Sequence, residues 1–304
     1  MISGLLNIDK PKGITSHDVV ARVRKLSRQR KVGHSGTLDP MATGVLLVCL
    51  GQATRLIEYI QSGLKQYRAT IRFGITTDTL DADGQIITKN DPSHLTETQL
   101  RQLLPIFQGE VNQTPPIFSA IKKDGQPLYK LARAGQTVET EPRQVTIDSI
   151  TWVTWQPPDL TLDIVCSPGT YIRSLARDLG DAAGPGAHLV ALTRTANSGW
   201  SLDQAVGLDD LERQAEAGTP IWEMYLQPLD DAIPHLPRIS LSAEAATNIQ
   251  HGRPIELGEQ DVAQTMSPLR AYAPNGRLLA ILTRVESDDT LWRPKKVFHR
   301  GETD

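Results

Sequence analysis

Hydrophobic and polar positions alternate along this chain in two periods, which separate strands from helices. "GLLNIDKPKGITS" opens with a short apolar strand, turns at Lys10-Pro11-Lys12-Gly13 and reaches a helix N-cap at Thr15 or Ser16. "HDVVARVRKLSRQR" then has helical period: Val19, Val20, Val23 and Leu26 share one face, and Arg22, Arg24, Lys25 and Arg28 the opposite arc. "GVLLVCLGQ" reads as a buried strand and "ATRLIEYIQS" as a short helix. "KQYRATIRFGI" alternates as a strand, with Tyr67, Ala69, Ile71 and Phe73 on one face and Arg68, Thr70 and Arg72 on the other. "TTDTLDADG" is a polar turn, and "LTETQLRQLLPIFQG" a helix with a Thr96/Gln99 capping box.

Further along, "RQVTIDSITWVTW" and "LTLDIVCS" flank a Pro-Pro turn as an antiparallel pair. A helix follows through "YIRSLARDLGDAAG", with Ile172, Leu175, Ala176 and Leu179 on its core stripe, and "AHLVALTRTANSGW" is another strand. Four prolines between 217 and 237 (Pro220, Pro228, Pro234, Pro237) place a domain boundary there, beyond which 238–304 reads as a small β-rich module with a basic tail. The length of 304 residues fits about two domains, and 39% hydrophobic content suffices for a sizeable core. The cysteines, Cys49 and Cys166, sit in apolar runs as small core residues, which fits a reducing cytoplasm. No secretory h-region and no span-length apolar run is present, so a cytoplasmic, non-membrane protein is expected.

The net charge of −3 argues against a nucleic-acid partner, but its distribution argues for one. Lys10, Lys12, Arg22, Arg24, Lys25, Arg28, Arg30 and Lys31 crowd the first 31 residues against only Asp9 and Asp18. Such an excess is the footprint of a phosphate-binding face, or of a solvated helix surface. Residues 113–135 add Lys122, Lys123, Lys130 and Arg133 in a Pro/Gly-rich stretch that reads as a protruding basic loop. No P-loop, dinucleotide fingerprint, nucleophile elbow or Cys/His metal spacing occurs, so neither metal nor cofactor is expected. Between the two basic features lies "KVGHSGTLDPMATGVLLVCLGQATR", with Asp39 in a Gly-His-Ser-Gly-Thr turn ahead of the apolar strand. An aspartate before proline is commonly a turn former and nothing more.

"GHSGTLDPMATGVL" nevertheless closely resembles the signature of the TruB-type tRNA pseudouridine synthases. "LNIDKPKGITSHD", "KQYRATIRFGITTDTLDADG" and "SPGTYIRSLARDLG" followed by "GAHLVALTRT" match in the expected order, and together they cover most of the chain. The resemblance implies an α+β pseudouridine synthase fold: a long mixed, mostly antiparallel sheet flanked by helices. It places a catalytic domain at 1–235, with 113–135 as an RNA-gripping insertion, and a PUA-like RNA-binding domain at 238–304. It implies isomerisation of uridine to pseudouridine in the T loop of tRNA by base flipping, without a cofactor or an obligate protein partner.

The same resemblance assigns roles. Asp39 is the catalytic carboxylate that becomes covalently attached, as carboxylates do in glycosidases. Arg173 pairs with it, in agreement with the chain's own logic: a cation in the first turn of a helix opposes the macrodipole and needs a nearby carboxylate. Tyr67 stacks on the target uracil, unless it is a core tyrosine, and His34 takes the flipped nucleotide's place, unless it is a turn histidine bonding locally. Tyr171 and Leu192 line the uracil pocket. Lys10, Lys12, the cations of 22–31, Lys122, Lys123, Lys130 and Arg133 contact phosphates. Pro168 stands where many relatives carry lysine. The rivals are a guide-RNA-dependent relative of the dyskerin type, an RNA-folding factor with secondary catalysis, and an N-glycosidase releasing uracil.

Overall fold

The computed structural model describes residues 2–119, 121–123, 125–128, 140–216, 221–258 and 267–299. Its frame is a mixed sheet whose strands run, edge to edge, Val206–Gly207, Gly4–Lys10, Thr43–Leu50, Ala187–Asn197, Lys65–Phe73, Asp159–Cys166, Arg143–Gln156 and Gly109–Gln113. All neighbours pair antiparallel except Val206–Gly207 with Gly4–Lys10, and Ala187–Asn197 with Thr43–Leu50. Val32–Ser35 pairs with Thr43–Leu50 outside this path. The α+β expectation holds, and the "AHLVALTRTAN" strand lies at the centre of the sheet.

Alternation explains why the central strands are apolar on both faces. In Thr43–Leu50, Leu46, Val48 and Leu50 enter one core with Ile8, Ala69, Ile71 and Leu189. Val45, Leu47 and Cys49 enter a second core on the other side, with Leu5, Tyr272, Ile281 and Phe298. Burying both faces removes enough apolar area to hold the sheet between two layers. Residues of the C-terminal sheet, Arg238–Ser240, Leu269–Tyr272, Leu278–Val285, Asp288–Val297 and Ile255–Glu256, thus pack on the back of the main sheet. Cys49 and Cys166 are buried and free.

Helix Ser16–Ser27 starts on Thr15, which closes a capping box with Asp18, and buries Val19, Val20 and Val23 as its period requires. Its outer arc differs from expectation in part. Arg22 is bound by Glu212 (2.5 Å) and Asp209 (2.6 Å) of helix Leu208–Glu216, so it is not a free phosphate contact. Arg24 donates to the Val32 carbonyl at 2.8 Å but stays exposed, as do Lys12, Lys25, Arg28, Arg30 and Lys31. In the 113–135 stretch, Gln113 is not loop but the end of the edge strand Gly109–Gln113, and it is buried. Lys122 and Lys123 form a two-residue strand against Gln126–Pro127. Lys130 and Arg133 lie outside the described residues.

Candidate active site

Asp39 sits on a loop whose backbone is fastened from three sides. Ser16 brackets it, its Oγ donating to the Leu38 carbonyl (3.1 Å) and accepting from the Leu38 amide (2.9 Å). The Gly13 amide donates to the Pro40 carbonyl at 2.8 Å. Arg194 donates from Nη2 to the Gly36 carbonyl at 3.0 Å and from Nε to the Val45 carbonyl at 2.7 Å. The loop closes with Gly44 at φ +97°, where an added Cβ would meet the Arg194 carbonyl oxygen at 2.3 Å, so only glycine fits. The Asp39 carbonyl also accepts from the Ala42 amide at 3.1 Å, so the turn reading of Asp-Pro is true locally. It does not use the side chain.

That side chain meets Arg173. Arg173 Nη2 donates to Asp39 Oδ1 at 3.1 Å, and Nε lies 2.9 Å from Oδ2, close in charge though off its N–H axis. The carboxylate keeps 34% of its side chain exposed, whereas Arg173 keeps 5%. A buried guanidinium holding a carboxylate one-third exposed leaves oxygen lone pairs facing solvent in a fixed direction. Arg173, the second residue of helix Ile172–Ala183, is itself held: Nη1 donates to the Thr79 carbonyl (3.0 Å) and Nη2 to the Phe118 carbonyl (2.9 Å).

Asp81 completes the group, and sequence reasoning missed it. Its Oδ2 lies 3.5 Å from Arg173 Nη1, and Thr79 Oγ1 donates to its Oδ1 at 2.5 Å. Burial raises the Asp81 pKa above the usual carboxylate value, with Thr79 and Arg173 pulling the other way. Arg173 therefore stands between two carboxylates, one buried and one presented. Leu80 between them has φ +64°, an uncommon left-handed backbone for a branched residue, which turns the Thr79 carbonyl and the Asp81 carboxylate to the same guanidinium.

The remaining expected residues divide. Tyr67 is half-buried and lies opposite Arg194 in register; burial raises its phenol pKa, and the Arg194 charge opposes that. Leu192, opposite Ala69, is 7% exposed and packs in the core. Tyr171 precedes the Arg173 helix, its amide donating to Gln113 Oε1 at 2.7 Å. Lys10 is a correction. It is fully buried, its ammonium donating to the carbonyls of Pro11 (2.9 Å), Ile14 (2.8 Å) and Pro40 (3.4 Å), so it braces the Asp39 loop and cannot meet a phosphate. Burial depresses its pKa to about 8.

His34 is a correction of place, because it lies in the strand Val32–Ser35 opposite Val48 and not in a turn. Its ring sits edge-on to His17, with centroids 5.3 Å apart, and Nδ1 is buried without a partner. Burial, with the charges of His17 and Arg194, lowers its pKa to about 4. The unfolded chain then binds a proton near pH 6.5 that the folded one refuses down to about pH 4. The His34 contribution is fully present above pH 6.5 and is lost as pH falls through that window. Urea unfolding should accordingly show a stability loss between about pH 7 and about pH 5 that His34→Leu reduces by up to about 2 kcal/mol. Equal losses in both proteins would remove His34 from that balance.

The site thus presents one oriented carboxylate on a rigid loop, beside a tyrosine and an electropositive interior of Lys10, Lys65, Arg173 and Arg194, all buried. Among the described residues no three His, Cys, Asp or Glu side chains gather as metal ligands, and no helix is long and apolar enough to cross a membrane. Residues 24–172 match the family model described as TruB family pseudouridylate synthase, N terminal domain. The tRNA pseudouridine synthase B of Pseudomonas aeruginosa (strain UCBPP-PA14) is 44% identical over 281 residues, 92% of this chain and 91% of that protein. The protein of the same name from Synechocystis sp. is 42% identical over 97% of this chain and 99% of its own. Among solved structures, a chain of the archaeal box H/ACA sRNP Nop10–Cbf5 complex superposes with a TM-score of 0.73 at 24% identity, covering 98% of this chain and 87% of that one, which is a likeness of fold.

Proposed function

Since the chain belongs to the TruB family of pseudouridylate synthases, we infer that it isomerises uridine to pseudouridine in tRNA, at a T-loop uridine, with Asp39 as the nucleophile. The observation that carries the assignment of Asp39 is its carboxylate, aimed outward by a buried arginine from a loop fastened on both flanks. In this reaction the C1′–N1 bond breaks, the detached uracil turns, a C1′–C5 bond forms, the C5 proton leaves to solvent and the freed N1 takes up a proton. Asp39 forms and releases the transient bond to the nucleotide, which is why a fixed, ionised oxygen is wanted and no redox group is. Tyr67 stacks on the extruded base, returning about 1–3 kcal/mol against the unstacking of the loop. Tyr171 and Leu192 bound the pocket, and neutral His34 fills the gap the base leaves.

The exposed cations Lys12, Arg24, Lys25, Arg28, Arg30 and Lys31 meet RNA phosphates near the Asp39 loop, and Lys122, Lys123, Lys130 and Arg133 supply further phosphate contacts. The C-terminal unit, 238–304, serves as a PUA-like RNA-binding domain. Identity of 44% to a tRNA pseudouridine synthase B against 24% to the H/ACA chain favours a stand-alone tRNA enzyme of the cytoplasm, working without a guide RNA or an obligate protein partner.

The test is a T-arm stem-loop RNA carrying tritium at uridine C5. Release of one tritium per RNA, with no free uracil, is the expected result. Free uracil would make the protein an N-glycosidase, and tight binding without tritium release would make it an RNA-binding factor.

A further inference from the structure

Arg194 is 1% exposed, one of the largest fully buried side chains of the chain, and sits in the central strand Ala187–Asn197. Its register makes it a junction. It lies opposite Gly44, at the start of the strand that leaves the Asp39 loop, and opposite Tyr67 on the other side. Its guanidinium reaches the carbonyls of Gly36 (3.0 Å), Thr37 (3.5 Å) and Val45 (2.7 Å). Those three carbonyls lie on both flanks of Asp39, so one side chain closes the loop at its base. Among the described residues it forms no ion pair with a carboxylate, and its charge is felt by Lys10, His34, Lys65 and Tyr67 alike. A buried cation without a carboxylate is costly, and hydrophobic residues of similar size fill such strand positions more cheaply. A fork of diverging donors is what the position uses, and lysine cannot supply it.

We propose that Arg194 is a positioning residue for the isomerisation, holding the Asp39 loop and the Tyr67 strand at one fixed separation. The proposal rests on the isomerase reading above. It says that Asp39 and Tyr67, 28 residues apart in sequence, keep their mutual placement through this guanidinium and not only through the strands. A misplacement of about 1 Å at a reacting group costs about 100-fold in rate. RNA affinity, set by exposed cations, should not depend on it.

The experiment measures single-turnover tritium release at saturating stem-loop RNA, the RNA dissociation constant, and thermal unfolding for wild type, Arg194→Lys and Arg194→Ala. Wild-type release is the control on the function itself; its absence would overturn the isomerase reading and leave the loop geometry out of the question. With wild type active, Arg194→Lys should fold, bind RNA within about threefold and release tritium about 100-fold more slowly. Millimolar guanidinium should restore part of the Arg194→Ala rate, and equal urea should not. A rate for Arg194→Lys within about threefold of wild type, or a rate loss that merely follows lost folded protein or lost RNA binding, would overturn the proposal. So would a folded Arg194→Ala that guanidinium helps no more than urea does. If Arg194→Ala does not fold, the lysine variant decides alone.

Discussion

Replacing Asp39 with asparagine is expected to cut tritium release by at least about 10⁴-fold, the scale on which removing a nucleophile acts. The substitution keeps the shape and one acceptor oxygen for Arg173, and it leaves untouched the backbone bonds from Ser16, Gly13 and Arg194 that fix the loop. Stem-loop binding should therefore stay within about threefold of wild type, because the phosphate contacts are elsewhere. Folding should change little, since the buried Arg173 keeps Asp81 and the Thr79 and Phe118 carbonyls when the Asp39 charge is removed. Parallel loss of binding and rate would mean that Asp39 shapes the RNA site and does no chemistry.

The second large effect belongs to the Asp39–Arg173–Asp81 chain. Arg173→Lys keeps the charge but cannot serve Asp39, the Thr79 and Phe118 carbonyls and Asp81 together. The presented carboxylate then loses its fixed direction, and single-turnover rate should fall about 10²–10³-fold, as for loss of a preorganised electrostatic partner. Asp81→Asn should act in the same sense and less, about 10–100-fold, because Arg173 keeps its carbonyl partners while losing the buried anion behind it. Arg173→Met should also lower stability by about 3–5 kcal/mol, since Asp81 is left buried without its cation. Rates and urea midpoints measured on the same preparations separate the two effects. If Asp81→Asn matched wild type in rate, the inner carboxylate would be structural only.

Arg173 was legible in the sequence because a cation at a helix start needs a reason, and the structure supplies two carboxylates as that reason. The alternation of Lys65–Phe73 and the heads of both capped helices were legible too, since those signals are local. Asp81 was not. "TTDTLDADG" offers Asp78, Asp81 and Asp83 on equal terms, and only the bridge of Asp81 to Leu189 decides which one turns inward. Lys10 misled, and Arg194 drew no attention. A lysine beside a Pro-Lys-Gly turn reads as a surface cation, yet it folds back on the Pro11 and Ile14 carbonyls and reaches Pro40, while the carbonyl partners of Arg194 lie 149 to 158 positions away. Backbone carbonyls leave no mark in composition or periodicity, so cations buried on them are found only once the strands are paired.

Which uridine is changed, and whether Asp39 changes it, can be read in one experiment. A T-arm stem-loop RNA incubated with wild type and with Asp39→Asn, treated with carbodiimide and read by primer extension, answers both. A single stop at one T-loop uridine after wild-type treatment, absent after Asp39→Asn, is the predicted result. No stop with either protein despite tight binding, or an equal stop with both, would contradict it.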